Sequence, residues 1–132
     1  VGDGEATVID ESYNANPASM RATLAVLEQA AGRHVAVLGE MRELGEGSAD
    51  FHAGLADDVV AARVETAVLV GEAMRPLAAA LEGQVEFVHV PDAGQALERL
   101  RTLIRPGDTM LVKGSNGVGL SRLVSGLANG MS

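Results

Sequence analysis

Ala6-Thr7-Val8-Ile9-Asp10-Glu11-Ser12-Tyr13-Asn14-Ala15-Asn16-Pro17 joins a short β-branched run to the start of a helix. Ala6 to Ile9 reads as a buried strand. Pro17 suits the first helical position, where its missing N–H is no loss, and Asn16 is placed to cap the helix. The residues between form a polar loop. A loop that leaves the carboxyl end of a strand and enters the amino end of a helix exposes backbone N–H groups at the positive end of the helix dipole. It favours anionic or strongly polar ligands.

The same alternation continues outward from this stretch. Residues 17 to 31 place Met20, Leu24, Leu27 and Ala31 on one face, and Gly32 stands where a helix C-cap belongs. His34-Val35-Ala36-Val37-Leu38 is a second strand, ending at Gly39 before a polar, Gly-containing loop. Ser48 opens a helix expected to turn Phe51, Leu55, Val59 and Ala62 inward and Asp50, Asp57 and Asp58 outward. Thr66 to Val70 is the third strand, followed by a helix from about Glu72 to Leu81, and Val85 to Val90 is the fourth. Asp92-Ala93-Gly94-Gln95 has the form of a capping box ahead of the stripe Leu97, Leu100, Leu103 and Ile104. Pro106-Gly107-Asp108 turns into a fifth strand, Thr109 to Val112, and Leu120, Leu123, Val124 and Leu127 mark a last helix. Five strands alternating with five helices describe an open parallel sheet covered on both faces, whose ligands lie beyond the carboxyl ends of the strands.

Composition agrees. The chain has 132 residues, 47% of them hydrophobic, with two Phe, one Tyr and no Trp. Its core must be aliphatic, as parallel α/β packing prefers, and the length is that of one domain. A formal charge of −8 argues against nucleic acid or an anionic membrane as a partner. With no cysteine there is neither disulfide framework nor thiolate chemistry. No signal peptide or membrane-spanning run is evident, so a cytoplasmic protein is expected. The chain begins at Val1, as processing or excision from a longer protein would leave it.

Three loops should share the carboxyl edge: Glu11 to Asn16, Gly39 to Gly47, and Lys113 to Gly119. In the first, Asp10 or Glu11 can accept hydrogen bonds from ribose hydroxyls, and Asn14 and Asn16 can contact a ligand. The plainer reading is that Asn16 only caps and Glu11 is solvated. In the third, Lys113 is the only lysine of the chain. It can meet a phosphate or carboxylate with Ser115 and the glycine N–H groups, or else stand solvated beside a glycine turn. Gly114-Ser115-Asn116-Gly117-Val118-Gly119 matches neither G-x-G-x-x-G nor the P-loop, in which the lysine follows the glycines. In the middle loop Glu40, Arg42, Glu43 and Glu46, with His52 beyond, lack the spacing of a metal site and read as salt-linked. His34 and His89 read as structural. No nucleophile with an adjacent base is present, so no catalytic residue is assigned.

Three segments carry a resemblance: Asp10-Glu11-Ser12-Tyr13-Asn14-Ala15-Asn16-Pro17-Ala18-Ser19-Met20, Ala36-Val37-Leu38-Gly39-Glu40-Met41-Arg42-Glu43-Leu44-Gly45-Glu46 with His52, and Leu111-Val112-Lys113-Gly114-Ser115. In this order they closely resemble the C-terminal domain of the Mur ligase family, in the branch that adds D-alanyl-D-alanine to UDP-N-acetylmuramoyl-tripeptide in peptidoglycan synthesis. The string Tyr13 to Pro17 separates it from other branches, which tend to carry a histidine in this loop. The resemblance implies a Rossmann-like three-layer α/β domain, with a mostly parallel sheet of five or six strands and helices on both faces. It implies residues 1–132 as a single domain excised from a longer ligase, closing over a central ATPase domain and inactive alone.

The family uses ATP with magnesium to form an acyl phosphate that an amine then displaces, and its P-loop and metal ligands belong to the central domain. By the resemblance, Asp10, Glu11, Tyr13, Asn14 and Asn16 face the nucleotide, with an acidic side chain near the ribose. Glu11 stands where the family usually has aspartate, one methylene shorter, and Asp10 is the alternative contact. Lys113, Gly114 and Ser115 would hold the dipeptide, whose carboxylate suits a cation and N–H donors. UDP-N-acetylmuramoyl-tripeptide would be held by the other domains, in an enzyme expected to be monomeric. The competing expectation is a freestanding, non-catalytic Rossmann-like module that binds a nucleotide or acidic metabolite at the same edge.

Overall fold

The computed structural model describes residues 7–11, 17–41, 47–105 and 107–114. Five strands, β1 (Thr7–Glu11), β2 (His34–Gly39), β3 (Val64–Val70), β4 (Glu86–Val90) and β5 (Thr109–Lys113), form one sheet in the order β1-β5-β2-β3-β4. Every neighbouring pair is parallel. Five helices connect them: α1 (Pro17–Glu28), α2 (Ser48–Ala53), α3 (Ala56–Ala61), α4 (Arg75–Leu81), preceded by a 3-10 turn over Glu72–Met74, and α5 (Ala93–Leu103). None of the described helices is long and apolar enough to cross a membrane.

Alternation along the strands sorts the core into two layers. Ala36, Leu38, Ala67, Leu69 and Leu111 face Met20, Leu24 and Leu27 of α1, Val59 of α3, and Leu77 and Leu81 of α4. Val35, Val37, Val68, Val70, Met110 and Val112 face Ala96 and Leu100 of α5. Strands buried on both faces favour apolar residues on both sides, which is why Val35 to Leu38 reads as a continuous apolar run in a β2 whose six residues are all buried. The expected parallel sheet with helices on both faces is the one observed.

Several boundaries differ from expectation. β1 continues through Asp10 and Glu11, because the ladder with β5 pairs them with Val112 and Lys113 despite their polar side chains. α1 ends at Glu28 instead of Ala31, and Ala31 is exposed. Gly32 is therefore not the residue after the helix. It holds a left-handed φ of 79° where a Cβ would overlap the carbonyl oxygen of Gly107, so it permits the close approach of the segments that lead into β2 and β5. The helix expected from Ser48 is two short ones, and Gly47 takes the N-cap position without a side-chain cap bond. Phe51 is 42% exposed, while His52, Leu55, Val59 and Ala62 are buried. The Asp92 cap is present, its Oδ1 accepting from Gln95 N at 2.9 Å. The last helix, from Leu120, lies outside the described residues.

The amino edge of the sheet is closed by polar bonds within the fold. Arg33 grips Asp108 with two bonds, Nε to Oδ1 at 3.0 Å and Nη2 to Oδ2 at 2.7 Å, and Nη2 also donates to Leu103 O. Asp108 Oδ2 accepts Arg105 N, and Thr109 donates from Oγ1 to Ala31 O and from N to Arg33 O. Burial pushes the Asp108 carboxyl up, but the hydrogen bonds from Arg33 and Arg105 N, with the Arg33 charge, outweigh it and hold the group below the usual carboxylate range. His34, buried, contacts Ala62 O at 2.8 Å through Nδ1 and Ala30 O at 2.7 Å through Nε2. Both partners are backbone carbonyl oxygens, so the ring bridges the segments that follow α1 and α3.

Candidate functional site

The strand order brings the three motif-bearing segments together. β5 lies between β1 and β2, so the chain leaves three adjacent strands at one edge after Glu11, Gly39 and Lys113. In register, Glu11 pairs with Lys113 across β1 and β5, and Leu38 pairs with Lys113 across β2 and β5. Asp10 and Glu11 thus sit at the end of a strand and not in the loop beyond it. Tyr13, Asn14, Asn16 and Ser115 lie outside the described residues. Lys113 is 2% exposed and interacts with its surroundings within the fold, and Gly114 directly after it is buried. A buried ammonium must be met by partners or ligand, which sets it apart from a solvated surface lysine.

The segment after β2 is tied down on two sides. Glu40 N donates to Val70 O at 3.1 Å, and Glu40 Oε1 accepts Ala73 N at 3.3 Å in the turn that precedes α4. Met41 N donates to His52 Nε2 at 2.9 Å, and His52 is fully buried. Beyond β3, Gly71 adopts φ 108°, where a Cβ would overlap Glu40 Oε1. Gly71 O in turn bonds His89 Nε2 at 2.7 Å, which gives His89 the structural role expected for it. Arg42, Glu43 and Glu46 lie outside the described residues. The reading of Glu40 and His52 as part of a salt-linked loop missed these bonds, because a backbone N–H partner leaves no side-chain pattern in the sequence.

A shallow hollow of about 310 Å³ opens at the other end of the sheet, lined by Glu28, Ala30, Gly32, Arg33, His34, Arg63 and Glu65. Its Arg33 is bound to Asp108 and lies 3.6 Å from Glu65, so that cation is already satisfied within the fold. The motif-bearing segments leave the sheet at the opposite end, from the carboxyl ends of β1, β5 and β2.

Comparison with known proteins agrees with this path of the chain. The family model described as the Mur ligase, glutamate ligase domain matches residues 1–116. The UDP-N-acetylmuramoyl-tripeptide--D-alanyl-D-alanine ligase of Mycobacterium leprae is 42% identical over 137 residues, covering 89% of this chain and 26% of that protein. Its counterpart in Mycobacterium tuberculosis is 39% identical over 96% of this chain and 29% of that protein. The chain thus spans little more than a quarter of the length of these relatives.

Among solved structures, MurF from Acinetobacter baumannii superposes with a TM-score of 0.82 at 29% identity, covering 98% of this chain and 29% of that one. MurF from Thermotoga maritima in complex with ADP shares the fold, with a TM-score of 0.77 at 22% identity, covering 95% of this chain and 28% of that one. A family match that runs from before β1 through the end of β5, with the motifs on adjacent strand ends, leaves one assignment: the chain belongs to the Mur ligase family, as its glutamate ligase domain.

Proposed function

We propose that this chain is the C-terminal domain of the ATP-dependent ligase that adds D-alanyl-D-alanine to UDP-N-acetylmuramoyl-tripeptide, one domain of a longer protein. One observation carries the reading: the register of β5 between β1 and β2 sets the acidic end of β1 beside Lys113 and the glycine after it. An acidic strand end supplies acceptors for ribose hydroxyls, and a cation followed by glycine N–H groups supplies donors for a carboxylate. On this division Asp10 and Glu11, with Tyr13, Asn14 and Asn16, face the nucleotide. Lys113, Gly114 and Ser115 face the dipeptide and orient its amine toward the activated carboxyl group. ATP supplies the phosphoryl group that activates that carboxyl, and the central domain carries its P-loop.

The described residues fit part of such a site. They provide the parallel-sheet edge at which polar ligands bind. They gather no group of three His, Asp or Glu that would hold a metal, so we assign magnesium to no residue here. The domain's work is binding, orientation and exclusion of water, in a monomeric cytoplasmic enzyme.

Phosphate release in the presence of ATP, UDP-N-acetylmuramoyl-tripeptide and D-alanyl-D-alanine tests the reading. The full-length ligase should release phosphate only with the dipeptide present, and the isolated chain should release none. A full-length enzyme indifferent to the dipeptide, or an isolated chain as fast as the whole protein, would refute it.

A further inference from the structure

His52 is a fully buried imidazole whose Nε2 is committed to one backbone N–H, that of Met41, at 2.9 Å. Burying a polar ring is costly unless its bonds are made, and this nitrogen must accept, so it carries no proton and cannot donate to a ligand. Glu40 is committed in a similar way. Its own N–H reaches Val70 O, its carboxylate oxygen accepts Ala73 N, and only a glycine at position 71 leaves room for that oxygen. These bonds fix Gly39, Glu40 and Met41 to β3 and to the turn before α4 on one side, and to α2 on the other. The segment so fixed emerges from β2 one residue beyond Leu38, and Leu38 is the register partner of Lys113.

We infer that Glu40 and His52 are positioning residues of the ligase: they set the segment leaving β2 against the end of β5, so that the dipeptide beside Lys113 meets a wall already formed. The inference rests on the D-alanyl-D-alanine ligase reading. Its mechanism is pre-organisation, in which a contact surface held in place before binding spares the ligand the cost of ordering it. Two residues of the middle motif, through bonds to backbone N–H groups of the domain itself, thereby govern its affinity.

Steady-state kinetics of the full-length ligase test this. His52→Leu keeps the volume and removes the acceptor, whereas His52→Gln presents an amide oxygen to the same N–H. The leucine variant should raise KM for D-alanyl-D-alanine at least about tenfold while kcat and KM for ATP move less than about threefold, and glutamine should restore most of the loss. A purely structural role would instead lower kcat through fewer active molecules and leave KM for the dipeptide unchanged, which would overturn the inference. Should the leucine variant fail to fold, Glu40→Ala against Glu40→Gln makes the same comparison through the bond to Ala73 N, with the same expected split. If the unaltered full-length enzyme shows no dipeptide-dependent phosphate release, the ligase reading fails and the inference with it. If it does and KM for the dipeptide is unmoved in these variants, positioning alone is wrong.

Discussion

The two ends of the same five strands use polar groups differently. At the amino edge, Arg33, His34, Asp108 and Thr109 bond to one another and to the carbonyl groups of Ala30, Ala31, Ala62 and Leu103. Those bonds close the segments that feed β2 and β5. At the carboxyl edge, Glu40, His52 and His89 hold the stems of segments that then leave the sheet, and the chain's one lysine ends β5 beside β2. Both edges are rich in buried polar groups, so burial of a charge does not by itself mark a functional site. What differs is whether the bonds close a turn or hold the base of a departing loop.

The largest expected effect lies at the amino edge. Asp108→Ala leaves the Arg33 guanidinium without its two-bond partner and Arg105 N without its acceptor. It should cost about 3 kcal/mol of unfolding free energy in urea titration of this chain. The same substitution in the full-length ligase should leave KM for the dipeptide unchanged if the two edges are separate in function.

Acid titration probes the same pair. Because the Asp108 carboxyl is held below its ordinary range in the fold, its contribution is present above the unfolded value, near pH 4, and is lost as the pH falls through the lower folded value. Asp108→Asn should flatten that acid limb of the stability curve. A limb of undiminished depth in the variant would assign the acid sensitivity to other carboxylates.

At the opposite edge, Lys113→Ala should raise KM for D-alanyl-D-alanine by about tenfold to a hundredfold, the worth of one charge-assisted bond. An unchanged KM would make Lys113 a structural cation and narrow the difference between the edges. A smaller gain is expected from Arg63, which follows the Ala62 C-cap of α3 at a left-handed φ of 59° where glycine is usual. Arg63→Gly should stabilise the chain by about 0.5–1 kcal/mol in thermal unfolding, the relief of backbone strain less the added freedom of the unfolded chain. Phe51→Ser, at an exposed position, should change stability by less than about 0.5 kcal/mol.

The legible parts of the fold were those fixed by local pattern. β2 announces itself as an unbroken apolar run, and Asp92 caps α5 through the N–H three residues on. The parts that misled depend on distant partners. Asp10 and Glu11 look like loop residues until β5 pairs with them, and Gly32 looks like a helix stop until Gly107 approaches it. In the segment after Ser48, the apolar spacing of Phe51 and Leu55 suggested the inward face. The buried stripe instead begins at His52, whose polar atom is satisfied by Met41 N. The site divides likewise. That three loops share one edge followed from parallel topology, but which strands are neighbours, and hence that Glu11 and Lys113 stand side by side, depends on where the last strand inserts.

That insertion also orders events during synthesis. Among the described residues β1 pairs only with β5, and Thr7 finds its register partner at Thr109, so the first of these strands waits for the last. Until then β2, too, has one open edge, and closing so long a loop slows folding. A ribosome that stalls before Thr109, or a protease that cuts there, leaves two unpaired apolar strand edges. Such fragments are templates for aggregation and marks for degradation, so β5 acts as the latch that tells a finished domain from an unfinished one.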